Sequence, residues 1–264
     1  MKIYGINCIF KLFTGVENIA KHERAMVLNV RFVKSATQKG RNHSFTRNLS
    51  HFAVIKEKYM IQILLTIHIL AGIIALFCAA LAVSSEKGKK LHVLSGKTYF
   101  WCMVAIFLTA IPMSIISSNI FLFLIAIFSF YLAFAGIRFA RNRKGVANTL
   151  DWTAVGLMIL SGLGMWILSA IYFSNNNLQY IVLLVFGFLA IALGYADYRS
   201  YKNKTATGKE RISRHLTNMM GGTIAVITAV LVVNPPFEPE WVWWVLPTAL
   251  ITPVIFWWNM KVLK

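Results

Sequence analysis

MIQILLTIHILAGIIALFCAALAVSS, residues 60–85, holds no charged side chain and a single imidazole, His68. A helix needs about 20 apolar residues to cross the hydrocarbon core of a bilayer, so this stretch alone is long enough to span it. Runs of the same character follow at about 98–116, 120–140, 152–173, 179–198, 216–234 and 241–260, and with residues 60–84 they make up more than half of the 264-residue chain. The composition agrees: 58% of residues are hydrophobic, 14% are charged and mean hydropathy is +0.63, where a soluble domain carries about 25% charged residues. A helix buried in a soluble protein keeps a polar stripe at 3.6-residue spacing. Neither FLFLIAIFSFYLAFAGI (121–137) nor IVLLVFGFLAIALGYA (181–196) has one. The expected fold is an all-α polytopic membrane bundle of about seven spans.

Charge placement orients these spans. From Met60 onward the chain has 16 Lys and Arg. Lys87, Lys89, Lys90 and Lys97 fall between spans one and two, and Arg138, Arg141, Arg143 and Lys144 between spans three and four. Six more lie between spans five and six, and Lys261 and Lys264 form the tail. The intervening connectors SSN, SNNNLQ and NPPFEPEW hold none. Cationic loops remain cytoplasmic, which puts the C-terminus inside and the start of span one outside.

Residues 1–59 break that pattern, with 11 Lys and Arg against Glu17, Glu23 and Glu57, a net charge of +8. They include no signal-peptide core, since INCIFKLF is short and interrupted by Lys11. Two expectations follow for this basic segment. Either it is disordered or an upstream translation artefact, with the seven-helix domain occupying 60–264, or it is a basic arm held inside that forces span one to re-enter. The overall charge of +18 then reflects this segment together with an ordinary excess facing anionic headgroups. The lipid bilayer is the expected partner, and no nucleic-acid function is expected.

The last span carries Trp241, Trp243 and Trp244 at one end and Trp257 and Trp258 at the other, roughly 20–26 Å apart along a helix. That spacing reads as two interfacial belts. Cys78 and Cys102 lie within spans and read as small packing residues.

Chemistry has few places to reside. Beyond residue 59 the histidines are His68, His92 and His215, and the acids are Glu86, Asp151, Asp197, Glu210, Glu238 and Glu240. Ionisable groups inside spans are costly and mark functional positions by default. His68 lies roughly 12 Å deep, followed on its helix face by Gly72, Ala75 and Ala79. It reads either as a neutral imidazole bonded to a neighbouring hydroxyl or carbonyl, or as a cofactor, metal or proton ligand. His92 precedes span two and His215 opens span six, on the same side as Asp151 and Asp197. His92, His215, Asp197 and Asp151 are thus candidate metal ligands, and His92, His215 and His68 are candidates for binding a cofactor such as haem b. The plainer reading leaves both histidines solvated, Asp151 as an N-cap and Asp197 paired with loop arginines.

Several stretches also resemble a bacterial multi-pass family labelled domain of unknown function 2306. They are HILAGIIAL (68–76), KGKKLHVLSGKTYFWCM (87–103), FLFLIAIFSFYLAFAGIR (121–138), DW (151–152), RHLTNMMGGTIAVITAVLVVN (214–234) and WVLPT (244–248). The elements that carry the resemblance are His68 with Gly72, the K-G-x-x-x-H-x-x-x-G of Lys87, Gly88, His92 and Gly96, and the R-H-x-x-x-M of Arg214, His215 and Met219. Val93 stands where that family usually has a basic residue. The resemblance implies a protein embedded in the cytoplasmic (inner) membrane of a bacterium, with recurring histidines, and supplies no activity.

Three functions compete at this level. A redox-linked protein would hold haem or a transition metal through His92 and His215. A zinc-dependent membrane hydrolase would add Asp197 to that pair, although the chain lacks paired H-x-x-x-H spacing. The third is a non-catalytic transporter or assembly or structural factor, in which a proton-coupled pathway would rest mainly on His68. No nucleophile elbow, phosphate loop or H-E-x-x-H motif is present.

Overall fold

The structure, a computed structural model, describes residues 43–264 apart from 234, with side chains described from 56 onward. Seven helices account for almost all of this: α1 (His43–Ser84), α2 (Lys90–Ile116), α3 (Ile120–Arg141), α4 (Thr149–Ser174), α5 (Tyr180–Lys202), α6 (Gly208–Val233) and α7 (Trp241–Leu263). Each contains a stretch long and apolar enough to cross a membrane. The protein is an integral, multi-pass membrane protein, and lipid takes the apolar surface that water would reject. Leu108, Leu160, Ile167, Phe188, Leu250 and Phe256 are all more than 60% exposed on the helix surfaces.

The expectation for residues 1–59 lies largely outside the described residues. Within them, α1 is continuous from His43 through Met60.

Helix boundaries differ from the apolar runs at the basic end. α2 starts at Lys90 and α6 at Gly208, two turns before hydropathy rises. His92 is therefore on the first turn of α2 rather than in a loop, and His215 lies two turns inside α6. Hydropathy marks only the stretch immersed in hydrocarbon, and a helix continues into the headgroup layer with polar residues on it.

Hairpins pair α1 with α2 and α4 with α5, and α3 packs against α2, α4 and α6. α3 is the most enclosed span. Ser, Thr and small residues line these contacts, as membrane helices require for close approach. The chief apolar cluster joins α3, α4 and α5 through Phe128, Tyr131, Leu132, Met158, Met165 and Phe186. A second cluster joins α1, α2, α3 and α6 through Ala75, Cys78, Ala79, Tyr99, Met103, Ala133 and Val226. Ala75 and Ala79 thus serve helix packing, whereas a Cβ at Gly72 would meet nothing within 4 Å.

The tryptophans at the two ends of α7 have different surroundings. Trp257 and Trp258 sit near cations, with Lys261 Nζ 3.8 Å and Lys87 Nζ 5.1 Å from their ring centroids. At the other end Trp243 is buried and donates its Nε1–H to Phe237 O at 2.9 Å. Its indole packs within the protein at the start of α7.

Candidate functional site

The basic-end residues singled out from sequence are organised by α6, whose first three turns carry polar side chains on three faces. Arg211, His215 and Met219 face α3, with spacings of four that return to one side of a helix. Arg211 Nη1 donates to the carbonyls of Phe139 and Ala140 at 3.0 and 2.6 Å. It thereby satisfies backbone oxygens that the end of α3 leaves open. One turn on, His215 Nδ1 lies 2.8 Å from Gly136 O. A carbonyl oxygen only accepts, so Nδ1 carries the proton. Met219 follows, and the absence of a side chain at Gly136 admits it: a Cβ there would stand 2.6 Å from both Met219 Cγ and Sδ.

His92 approaches from α2. Its Nδ1 lies 2.9 Å from Ala82 O, so here too Nδ1–H donates to a backbone carbonyl. The bond also caps the last turn of α1, a task shared with Lys87, whose ammonium donates to Ala82, Val83 and Ser85. Loss of water at that spot holds the Lys87 ammonium below its usual range. The His92 and His215 rings face each other with centroids 6.3 Å apart and planes at 85°. In both, the locked Nδ1–H leaves Nε2 as the nitrogen that holds a lone pair in the neutral ring.

The structure does not bring the two carboxylates to this pair. Asp151 is buried and takes a bidentate contact from Arg138, at 2.6 and 2.7 Å. Its second role is reciprocal capping: Asn148 is the N-cap of α4, and Asp151, at the third helical position, accepts from the Asn148 N–H at 2.9 Å. Asp151 is therefore a capping-box partner and not the N-cap itself. Asp197 is buried beside the Arg214–Asn218 face of α6, where Oδ2 accepts from Tyr131 OH at 2.8 Å and Asn218 Nδ2 at 3.2 Å. Arg214 Nη1 stands 3.8 Å from Oδ1 and is the cation nearest this acid. Among the described residues no group of three or more His, Cys, Asp or Glu is placed to hold a metal. The four-residue metal cluster is not assembled, and the hydrolase reading loses its third ligand.

His68 belongs to neither group. Its Nδ1 is 2.9 Å from Thr109 Oγ1, and that hydroxyl is 2.8 Å from Ala105 O. With the hydroxyl proton directed at the carbonyl, Nδ1–H donates to Oγ1. This is the helix-to-helix imidazole–hydroxyl bond named as one of its two readings.

Tyr131, Arg138, Asn218 and Asn259 were not singled out from sequence. Asn259 on α7 accepts from Ser213 Oγ at 2.9 Å and donates to Thr217 Oγ1 at 2.7 Å, which ties α7 to the third face of α6. The available signal was the isolated polar side chain in an apolar run, which applies to Asn218 and Asn259.

The fold and site together define a seven-helix membrane protein with a polar, hydrogen-bonded core at its basic end. Comparison of the chain with protein-family models, with curated proteins and with solved structures finds no match.

Proposed function

We propose that the protein is a redox-linked membrane protein of the bacterial cytoplasmic membrane that holds a transition-metal centre between His92 and His215. One observation carries this reading: two imidazoles from different helices, both with Nδ1–H tied to a carbonyl, at a centroid separation of 6.3 Å. Metal–nitrogen bonds of about 2.0–2.1 Å to two imidazoles separate the ring centres by roughly 5–6.5 Å, depending on the angle at the metal. A backbone acceptor on the far nitrogen is the usual orienting partner of a ligating histidine.

Met219 lies between Gly96 and Gly136, one turn along α6 from His215. That side chain takes space a porphyrin would need and supplies a thioether, so a single soft or borderline ion such as copper suits the donors better than haem b. Membership in the family resembled by the motifs is part of this proposal. What supports it is that His92, Gly96, His215 and Met219, drawn from two of those motifs, meet at one place.

The test is purification in mild detergent without chelators, followed by elemental analysis and a visible spectrum on the same sample. Near-stoichiometric copper or another transition metal, lost in a His92, His215 double substitution, is the expected result. A Soret band would replace the ion by haem. Colourless protein that contains no metal, and takes up none when reconstituted, would overturn the reading.

A further inference from the structure

On the α5 side of α6, one cation serves two acids. Arg214 Nε donates to Glu210 Oε1 at 3.1 Å, while its Nη1 remains 3.8 Å from Asp197 Oδ1, beyond hydrogen-bond length. Asp197 is 1% exposed, in a span where an unpaired carboxylate is costly. Beside it Asn218, also 1% exposed, directs its amide nitrogen to Asp197 Oδ2 and to Arg214 O at 3.0 Å. Both amide protons have acceptors, so the orientation of this amide is settled. Its Oδ1 is buried and has no donor among the described residues. A buried amide oxygen without a donor costs about 1–3 kcal/mol, and the neighbouring carboxyl group lacks a hydrogen-bonded countercharge.

We propose that Asp197 is a proton-binding site: it stands as a carboxylic acid whose O–H donates to Asn218 Oδ1, and it ionises when Arg214 moves from Glu210 onto it. The ligand is a proton exchanged with water at the basic end, where the Arg214 and Glu210 side chains are 23% and 34% exposed. On release the O–H bond breaks, its electron pair stays on the carboxylate, and the Arg214 guanidinium closes the 3.8 Å gap to compensate the charge. Tyr131 from α3 faces the acid with its hydroxyl, and Tyr201 on α5 is near enough to feel the charge of both this acid and the Arg138–Asp151 pair. From α6 the facing groups are Arg214, Glu210 and Asn218. His215 and Arg211 are bonded to carbonyls of α3 and not to Asp197, so the proton site stands whether or not the imidazole pair binds a metal. Because Arg214 immediately precedes His215, proton release would move the turn that carries one of the paired imidazoles.

Infrared difference spectroscopy at neutral pH tests this. Wild type minus Asp197→Asn is expected to show a protonated-carboxyl C=O band that shifts on deuteration. Asn218→Leu, which retains the acid, is expected to move that band and serves if Asp197→Asn fails to fold. Asp197→Asn, which mimics the neutral acid, is expected to keep the thermal midpoint better than Asp197→Ala. No carboxylic band attributable to Asp197, or a sodium-dependent stabilisation that takes its place, would overturn the proposal.

Discussion

His92 and His215 meet edge to face at 6.3 Å because each is anchored to a helix other than its own: His92 to the last turn of α1, and His215 to α3 at Gly136. The pair therefore reports the relative positions of α1, α2, α3 and α6. A shift of any one by about an ångström would undo the separation a shared ion requires, so the packing that sets these positions is open to mutation far from the rings.

Gly136 is the tightest of those positions. Gly136→Ala places a methyl group 2.6 Å from Met219 Cγ and Sδ and 3.2 Å from its backbone nitrogen. Overpacking of this kind costs about 1–3 kcal/mol. Thermal unfolding in detergent is expected to show that loss together with reduced metal uptake. Adding Met219→Ala should recover part of the stability, since the two changes share one contact. Gly72→Ala, where nothing lies within 4 Å, should leave stability unchanged. Equal losses at the two glycines would contradict the close approach of α3 and α6.

Asp151 is a structural acid here. It joins the end of α3 to the start of α4 through Arg138 and closes the capping box with Asn148. Removing one partner of such a pair leaves the other uncompensated, at about 3 kcal/mol for a well-buried ion. With the Arg138 side chain 30% exposed, a smaller loss of about 2 kcal/mol is expected for Asp151→Ala. Arg138→Lys should cost less, because only the fork geometry is lost. Metal content per folded molecule should not change in either variant; a proportional loss of metal would return Asp151 to the site.

The bundle was legible because lipid demands long apolar runs and cationic loops alternate with neutral or acidic ones. Those same alternations put His92 and His215 on one side, which is why their meeting could be anticipated. What was hidden depends on contacts remote in sequence. Asp197 is bonded from Tyr131 and Asn218, and of these the apolar pattern absorbs Tyr131 silently. The arginine nearest to it, Arg214, stands 3.8 Å away inside a helix and not in a loop. Tryptophan favours both interfaces and crevices, so the burial of Trp243 shows only in the packing. The helix starts at Lys90 and Gly208 were displaced because no change in hydropathy marks a helix entering the headgroup layer.

His68 and Thr109 form a separate fastening between α1 and α2. Thr109→Val removes the hydroxyl at nearly constant volume and leaves the imidazole without its partner. Hydrogen bonds between membrane helices average about 0.6 kcal/mol, so a small drop in thermal midpoint is expected, with Thr109→Ser close to wild type. His68→Ala should leave metal content at the other end of the bundle intact. Loss of metal in that variant would place His68 in the functional site after all.

Each paired imidazole does two jobs that one substitution can divide. Asparagine places an amide N–H where Nδ1–H of histidine sits but has nothing at the Nε2 position. In His215→Asn the bond to Gly136 O can persist, and in His92→Asn the bond to Ala82 O, so the helix fastenings are retained while ligation is lost. Both variants are expected to unfold within a few degrees of wild type and to carry little metal. Glutamine reaches the Nε2 position and abandons the carbonyl, so His215→Gln should lose about 1 kcal/mol of stability for the missing bond. If the asparagine variants retained full metal content, the imidazoles would be fastenings alone. The 6.3 Å separation would then be a consequence of capping α1 and bonding α3, and not of an ion between the rings.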